Sequence, residues 1–409
     1  MATPLTPTAY QSALYVLFPQ KRIASYGVGE QNFYTWIPKK QGFGGRNAEI
    51  PIEIGPGGGT SPDFQTAQEA KSGGDIRNFT VTRTRAFNVI AIDNETIEAS
   101  EGSENSYMNA YELQVENGFK KQVQRLGWDM QGDGTGLQGV VQSAGLTATT
   151  FRVTQDQFPK FNVKDRVVFC AAGTPTTPRA GVLGFAVISK KDPNSLTLTV
   201  STTLGGDNLT TLGVVATDLV YWKGGIGNAL TGTKAWIPTV ANRPVSATLF
   251  KGVDRSESEG DLAGYAFDGS TYGLAESLER ALSFGSIANC NPEVVWLNYG
   301  RFTDLSRELG ASCVRETVKV ANFAFDSIKI NARGRETRVM ADINFADDDA
   351  LACTRSSWKF WTLKGAPRFL TDDRMLNEVA SNGVEIRQGW YGDLICTKPN
   401  DNLRIKLPV

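Results

Sequence analysis

The sequence predicts an α+β protein of several domains: an extended β arm, then one long helix, then a small inserted β unit within a mixed helix–strand body. Three observations carry this. Residues 33–92 read as extended chain broken by glycine clusters. From Ser103 to about Met130 the apolar residues Met108, Tyr111, Val115, Phe119, Val123 and Leu126 recur at spacings of three and four, one face of a 3.6-residue helix. Between 147 and 223, short strand-like runs alternate with turn signals.

Composition sets the bounds. A chain of 409 residues suggests two or three domains, and 41% hydrophobic with 21% charged residues is enough for folded cores. Lys plus Arg (42) balances Asp plus Glu (43), so the whole molecule presents no electrostatic case for nucleic-acid binding. Cys170, Cys290, Cys313, Cys353 and Cys396 are scattered without a C-x-x-C pair, which predicts reduced, buried thiols rather than a zinc or redox motif. No signal-peptide layout and no membrane-length apolar run occurs, which predicts a soluble protein. The chain contains no histidine, which removes Ser-His and Cys-His nucleophilic pairs and the usual general base near neutral pH.

In chain order, residues 1–30 form a lead-in with a short helix over 12–18. Within the arm, Phe33-Tyr-Thr-Trp36-Ile-Pro38 and Ile50-Pro-Ile-Glu-Ile54 read as extended, and the glycines at 55–59 as a flexible tip. Residues 78–92 read as one strand with Phe79, Val81, Phe87 and Val89 on one face, roughly 50 Å long at 3.3 Å per residue. An isolated hairpin is marginal in water, so the arm needs another surface. That surface belongs either to a neighbouring subunit or to the arm's own chain, and this ground leaves both open. Ser103 fits the helix N-cap, with Glu101 and Glu104 at the positive end of the dipole and Lys120, Lys121 and Arg125 at the negative end. A glycine-rich turn covers 129–139. The β unit has runs at 149–154, 166–170, 182–189, 195–201 and 218–222. Residues 259–365 alternate helix (272–284, 302–309) and strand (294–297, 326–330, 337–344), and strands at 383–395 and 403–407 close the sheet.

Motifs for chemistry are weak. Gly134-Thr-Gly136-Leu-Gln-Gly139 follows a helix, not the strand that a dinucleotide site needs. Gly227 to Lys234 misplaces the phosphate-loop lysine, and the loop from Asp129 has Val140 where a calcium loop needs a glutamate. The clusters Asp347-Asp-Asp349 and Asp372-Asp373 read as solvated loops.

The order of elements resembles the major capsid protein of tailed bacteriophages, the Hong Kong 97 fold. The residues carrying the resemblance are Ile54-Gly-Pro-Gly-Gly-Gly59, Phe79-Thr-Val-Thr-Arg83, Ile92-Asp-Asn-Glu95-Thr-Ile-Glu-Ala-Ser100 and the helix through Gly132-Asp-Gly-Thr-Gly136. They continue with Ala235-Trp-Ile-Pro238, Gly252-Val-Asp-Arg-Ser256 and Leu262-Ala-Gly264. Together they span most of 50–265, with a looser match to the end.

The resemblance implies an N-terminal arm (1–30), an E-loop (31–92) and a peripheral domain with the spine helix (93–146, 224–258 and 366–409). It leaves an inserted β-barrel-like domain (147–223) and an axial domain (259–365). The E-loop would touch the next subunit through Trp36, Phe43, Ile54, Gly57, Gly58, Phe64, Phe79 and Arg83. The implied role is structural and not enzymatic: pentamers and hexamers tile an icosahedral shell around double-stranded DNA, in a virion assembled in the bacterial cytoplasm. No cofactor, metal or membrane is expected, and the DNA would be enclosed without sequence-specific binding.

Expected partners are further copies of the chain, portal and decoration proteins, and a separate scaffolding protein, since the arm begins within about 30 residues of Met1. Lysine–asparagine cross-links from Lys39, Lys40 or Lys71 are not expected. The competing readings are an encapsulin-type shell with protein cargo and a β-rich, carboxylate-dependent hydrolase.

Overall fold

Six of the eight tryptophans are buried, and five of them (Trp36, Trp236, Trp296, Trp358 and Trp390) fall in a single cluster that marks the main core. The structure, a computed structural model, describes residues 31–55, 57–93, 110–310, 314–320, 323–332, 335–370, 376–377 and 383–408. The short helix expected over 12–18 and the cap at Ser103 lie outside these residues.

Strands form four sheets. A two-stranded hairpin pairs β2 (Asn47–Gly55) with β3 (Asp75–Thr82). A six-stranded sheet combines β1 (Lys39–Gln41), β4 (Thr84–Asp93), β17 (Trp358–Thr362), β18 (Arg368–Phe369), β19 (Leu376–Asn377) and β20 (Gly383–Cys396). A second six-stranded sheet, β5-β10-β7-β8-β9-β6, comprises β5 (Leu137–Val140), β6 (Thr150–Arg152), β7 (Arg166–Cys170), β8 (Ala186–Asp192), β9 (Thr197–Val200) and β10 (Leu219–Trp222). The seven-stranded sheet, ordered β11-β21-β16-β12-β15-β14-β13, comprises β11 (Tyr265–Asp268), β12 (Val294–Leu297), β13 (Val314–Val320), β14 (Phe323–Ala332), β15 (Arg335–Ala341), β16 (Asp349–Cys353) and β21 (Leu403–Lys406).

The helices are α1 (Asn32–Trp36), α2 (Phe64–Glu69), α3 (Ala110–Gln131), α4 (Thr233–Trp236), α5 (Glu259–Ala263), α6 (Leu274–Ile287) and α7 (Tyr299–Leu309). None of the described helices is long and apolar enough to cross a membrane.

The period-2 alternation of strands builds the body. In β12 all four residues are buried; Val294 and Trp296 enter the tryptophan-rich core, while Val295 and Leu297 enter a second core with Leu278 and Leu282 of α6. In β16, likewise, Leu351 and Cys353 face one core and Ala350 and Ala352 the other. A strand buried on both faces reads as an unbroken apolar run, which is why 294–297 is recognisable in the sequence. The same alternation splits β7: Val167 and Phe169 face the core around Phe151 and Phe161, and Val168 and Cys170 face the opposite side of the sheet.

Several expectations need correction. The sheet expected to start near 147 begins at Leu137, inside the anticipated glycine-rich turn. The run expected from 182 starts only at Ala186. Val182 is 84% exposed, and Asp207 accepts hydrogen bonds from the amides of Leu183 and Gly184, holding the chain in a turn. The tail strand β21 pairs with β11 and β16 in the seven-stranded sheet, whereas β17, from within 259–365, pairs with β1 and β20.

The described chain divides into two units, 88–121 with 369–388, and 29–87 with 122–368 and 389–409. In the first, Gly118 lets α3 lie close to its neighbours: a Cβ there would sit 2.3 Å from Gln388 Oε1 and 2.6 Å from Ile90 Cδ1. Gln388 accepts from Asn88 Nδ2 (3.1 Å) and donates to the Val115 carbonyl (3.1 Å), and Phe119 meets Phe369 edge-on at 5.1 Å. In the second unit, Leu126 is fully buried and Val123 packs against the main core. Of the six residues expected on the core face of the helix, Met108 and the Tyr111 side chain lie outside what the structure describes.

Candidate assembly interface

The arm is built from alternation. In β2, Ile50 and Ile52 point inward and are buried, while Glu49, Pro51 and Glu53 between them are exposed. Opposite them, Phe79 and Val81 of β3 are fully buried. Phe79 lies 5.4 Å from Trp236 and 6.2 Å from Phe250, and the Thr80 amide donates to the Lys251 carbonyl. The root of the arm is therefore folded over its own subunit, the second of the two surfaces left open above. Phe79 is a core residue here, not an exposed contact.

Beyond the root the arm is open. Phe64 is 80% exposed and Ile76 57%. The tip is an ordered turn rather than a loose one. Asp63 accepts from the Thr66 amide (2.9 Å) and caps α2, and the Gly58 amide donates to Ser72 O (2.8 Å). Gly57 is pressed against the return segment, where a Cβ would sit 2.6 Å from the Gly74 nitrogen. Ile54 is half-buried against the main core.

The strand expected over 78–92 breaks at Arg83, which turns inward so that Nη1 donates to the Phe43 carbonyl (2.6 Å). Past this break the chain pairs with β20, and Phe87 and Val89 are exposed instead of sharing the buried face of Phe79 and Val81.

Trp36 and Phe43 are likewise core residues. Residues 32–36 are helical, not extended: Trp36 packs edge-on against Trp296 at 5.4 Å, and Phe43 stacks on Trp361 at 5.0 Å. What holds α1 is a buried polar hub that the sequence did not announce. Asp342 accepts from the Phe33 amide (2.7 Å) and the Asn344 amide (2.8 Å), and Asn344 Nδ2 donates to Gln31 Oε1 (2.8 Å). Burial pushes the Asp342 carboxyl up to about 6, against the lowering effect of those hydrogen bonds. A folded-state value above the unfolded one near 4 means that the folded form holds this proton more tightly. The contribution of Asp342 to stability is thus full below about pH 4 and lost as pH rises through 6, by roughly 3 kcal/mol. Denaturant titrations of wild type and Asp342→Asn should diverge over that window and run parallel outside it.

The sequence reading also missed a basic strip. β1 is an edge strand of its sheet and runs parallel to β17, with Lys40 opposite Trp361. The Lys40 ammonium stands 4.2 Å from the Trp361 ring centre, and that of Lys39 stands 3.9 Å from the Tyr34 ring. Lys359 and Lys364 are exposed on β17 and just beyond it. A scan for carboxylate-free stretches would have found the strip: residues 31–46 and 354–367 hold six Lys or Arg and no Asp or Glu.

Nothing assembled in the described residues forms a catalytic constellation. A cavity of about 250 Å3 at the end of α3 is lined by Trp128, Asp129, Gln131, Lys160, Lys234 and other residues, with no serine, threonine or cysteine. Burial, with Lys234 nearby, pushes Lys160 down to about 8, and burial raises Asp129, which Arg125 (3.7 Å) and Gln138 (3.4 Å) offset. Among the described residues, no group of three or more acidic or cysteine side chains is placed to hold a metal ion. Cys170, Cys290, Cys353 and Cys396 are buried free thiols; Cys313 lies outside the described residues.

No protein-family description and no curated protein matches the sequence. Solved structures do match. The capsid asymmetric unit of cyanophage A-1(L) superposes with a TM-score of 0.58 at 9% identity, covering 98% of this chain and 99% of the other. The capsid of a native GTA particle gives 0.49 at 8% identity, with complete coverage of both chains. The SrpI encapsulin of Synechococcus elongatus PCC 7942 gives 0.47 at 7% identity, covering 99% of this chain and 96% of the other. The first correspondence runs end to end through arm, helix and sheets, and over that length this chain has the tailed-phage capsid fold of the Hong Kong 97 type.

Proposed function

We propose that this chain is the major capsid protein of a tailed bacteriophage, forming pentamers and hexamers that close into an icosahedral shell around double-stranded DNA. The observation that carries this reading is the end-to-end correspondence with a capsid fold. The half-covered arm supports it: with Phe64 exposed at its ordered tip and Ile76 exposed on β3 behind it, the arm is a contact awaiting a surface. Residues Ile54, Gly57, Gly58 and Phe64 remain the proposed intersubunit contacts, whereas Trp36, Phe43 and Phe79 serve the subunit's own core and Arg83 holds Phe43 in place. In this reading α3 is the rigid spine of one tile, and portal, scaffolding and decoration proteins complete the particle.

Expressed chain is expected to yield capsomers and larger assemblies in negative-stain micrographs, with uniform closed shells forming only alongside the scaffolding protein, and particles from infected cells should contain double-stranded DNA. Particles filled with a protein cargo and no DNA would instead support the encapsulin reading. Deleting residues 57–73, which leaves the buried root in place, should give a folded subunit by circular dichroism that no longer forms shells. Normal shells from that deletion would remove the arm from assembly.

A further inference from the structure

We infer that copies of this chain join head to tail by charge, the exposed carboxylates of one arm (Glu49, Glu53 and Glu69) seating on the lysine strip of the next copy around Lys39, Lys40, Lys359 and Lys364. This rests on the shell reading above and names the surface that receives the arm.

The two surfaces are complementary, and among the described residues neither is neutralised by an ion pair within its own chain. Residues 47–74 carry four carboxylates against one lysine, while the two segments of the strip carry six cations and no carboxylate. Glu49 and Glu53 share the outer face of β2, two strand repeats apart, opposite the face that buries Ile50 and Ile52. Glu69 ends α2 at the tip. The ion pairs described on the arm are Arg77 with Asp75 and with Glu257, and none joins Glu49, Glu53 or Glu69 to a cation among the described residues. On the strip, Lys39 and Lys40 are held over aromatic rings rather than against acids, which fixes their ammonium groups while leaving the positive charge uncompensated. The lysines are exposed, and the outer edge of β1 has no neighbouring strand among the described residues.

An acidic surface and a basic surface at different places on one chain make a heterologous contact. Such a contact repeats in one direction and generates a ring when the rotation closes. This is the symmetry that five- and six-membered capsomers require. Charge here fixes register and excludes the reversed, like-against-like encounter, while Phe64 and Ile76 supply apolar area beside it. A polyanion such as DNA could also lie on a lysine strip, but it would leave the acidic arm without a partner; the second copy accounts for both surfaces.

The test uses the full chain in three forms: Lys39→Glu, Lys40→Glu, Lys359→Glu and Lys364→Glu together, then Glu49→Lys with Glu53→Lys and Glu69→Lys, then all seven together. All are exposed positions, and circular dichroism checks that each variant folds. In sedimentation at about 0.15 M salt, each reversed surface alone should cut the assembled fraction roughly tenfold or more, and the seven-substitution chain should recover it. Mixing the two partial variants should restore rings with an even number of subunits only, because opposite charges then alternate around the ring. Wild-type assembly by all variants, or no recovery in the seven-substitution chain, overturns the contact. So does a strip variant that builds normal shells but no longer retains DNA, which would assign the strip to nucleic acid. A wild-type chain that stays monomeric even with its scaffolding protein contradicts the shell reading itself.

Discussion

Replacing Asp349 with alanine is expected to lower the stability of the isolated subunit by about 3–5 kcal/mol, because it strands a buried guanidinium. Arg404 is 1% exposed, and its Nη1 lies 2.5 Å from Asp349 Oδ2. Its other nitrogens are also engaged: Nε donates to Ile237 O and Nη2 to Thr233 Oγ1, each at 2.9 Å. Thr233 Oγ1 in turn donates to Gln131 Oε1 at 2.7 Å, so one line of hydrogen bonds runs from the last residue of α3 to β21 and β16. Lys234, partly exposed, also reaches Asp349, at 3.3 Å, and without the carboxylate its ammonium would face the buried Arg404 guanidinium. Arg404→Met should cost less, since Lys234 would still pair with Asp349. Urea denaturation followed by tryptophan fluorescence checks both, and a loss under 1 kcal/mol for Asp349→Ala would show the pair to be hydrated.

The second large effect belongs to Trp236→Ala, expected to cost about 3–5 kcal/mol. The indole is fully buried between Phe79 and Phe250, and its Nε1 donates to Leu394 O at 2.9 Å. Truncation empties the seat of the arm and leaves that carbonyl unpaired. Because the arm's root rests on this ring, the loss should appear locally as well as globally, with faster proteolysis within residues 47–82. Trp236→Phe should keep the arm protected and lose only part of the stability.

What could be read from the sequence follows from how each element encodes itself. A helix with a one-sided apolar stripe, such as 110–131, and a strand buried on both faces, such as 294–297, carry their period in adjacent residues. The order of hairpin, long helix, short-stranded β sheet and mixed helix–strand segments was also legible, because turn residues punctuate it. The partners of the arm were not. Phe79, Phe64 and Trp36 look alike in the sequence as apolar residues in an extended-looking stretch, yet the first is sealed against Trp236, the second is open to solvent and the third sits in a short helix. What separates them is tertiary: the inward turn of Arg83 onto Phe43, and the Asp342 hub more than 300 residues away from the helix that it anchors. The basic strip was missed for a related reason. Its two halves are ordinary segments apart and become one surface only when β1 pairs with β17.

The central claim is that the arm completes itself on a second copy. A cryo-electron microscopy reconstruction of the assembled particle tests it most directly. The account expects Phe64 and Glu69 of each subunit to be covered by the neighbouring copy, beside its Lys40 and Lys359. A closed shell in which residues 57–74 remain in solvent, or touch only their own subunit, would contradict it.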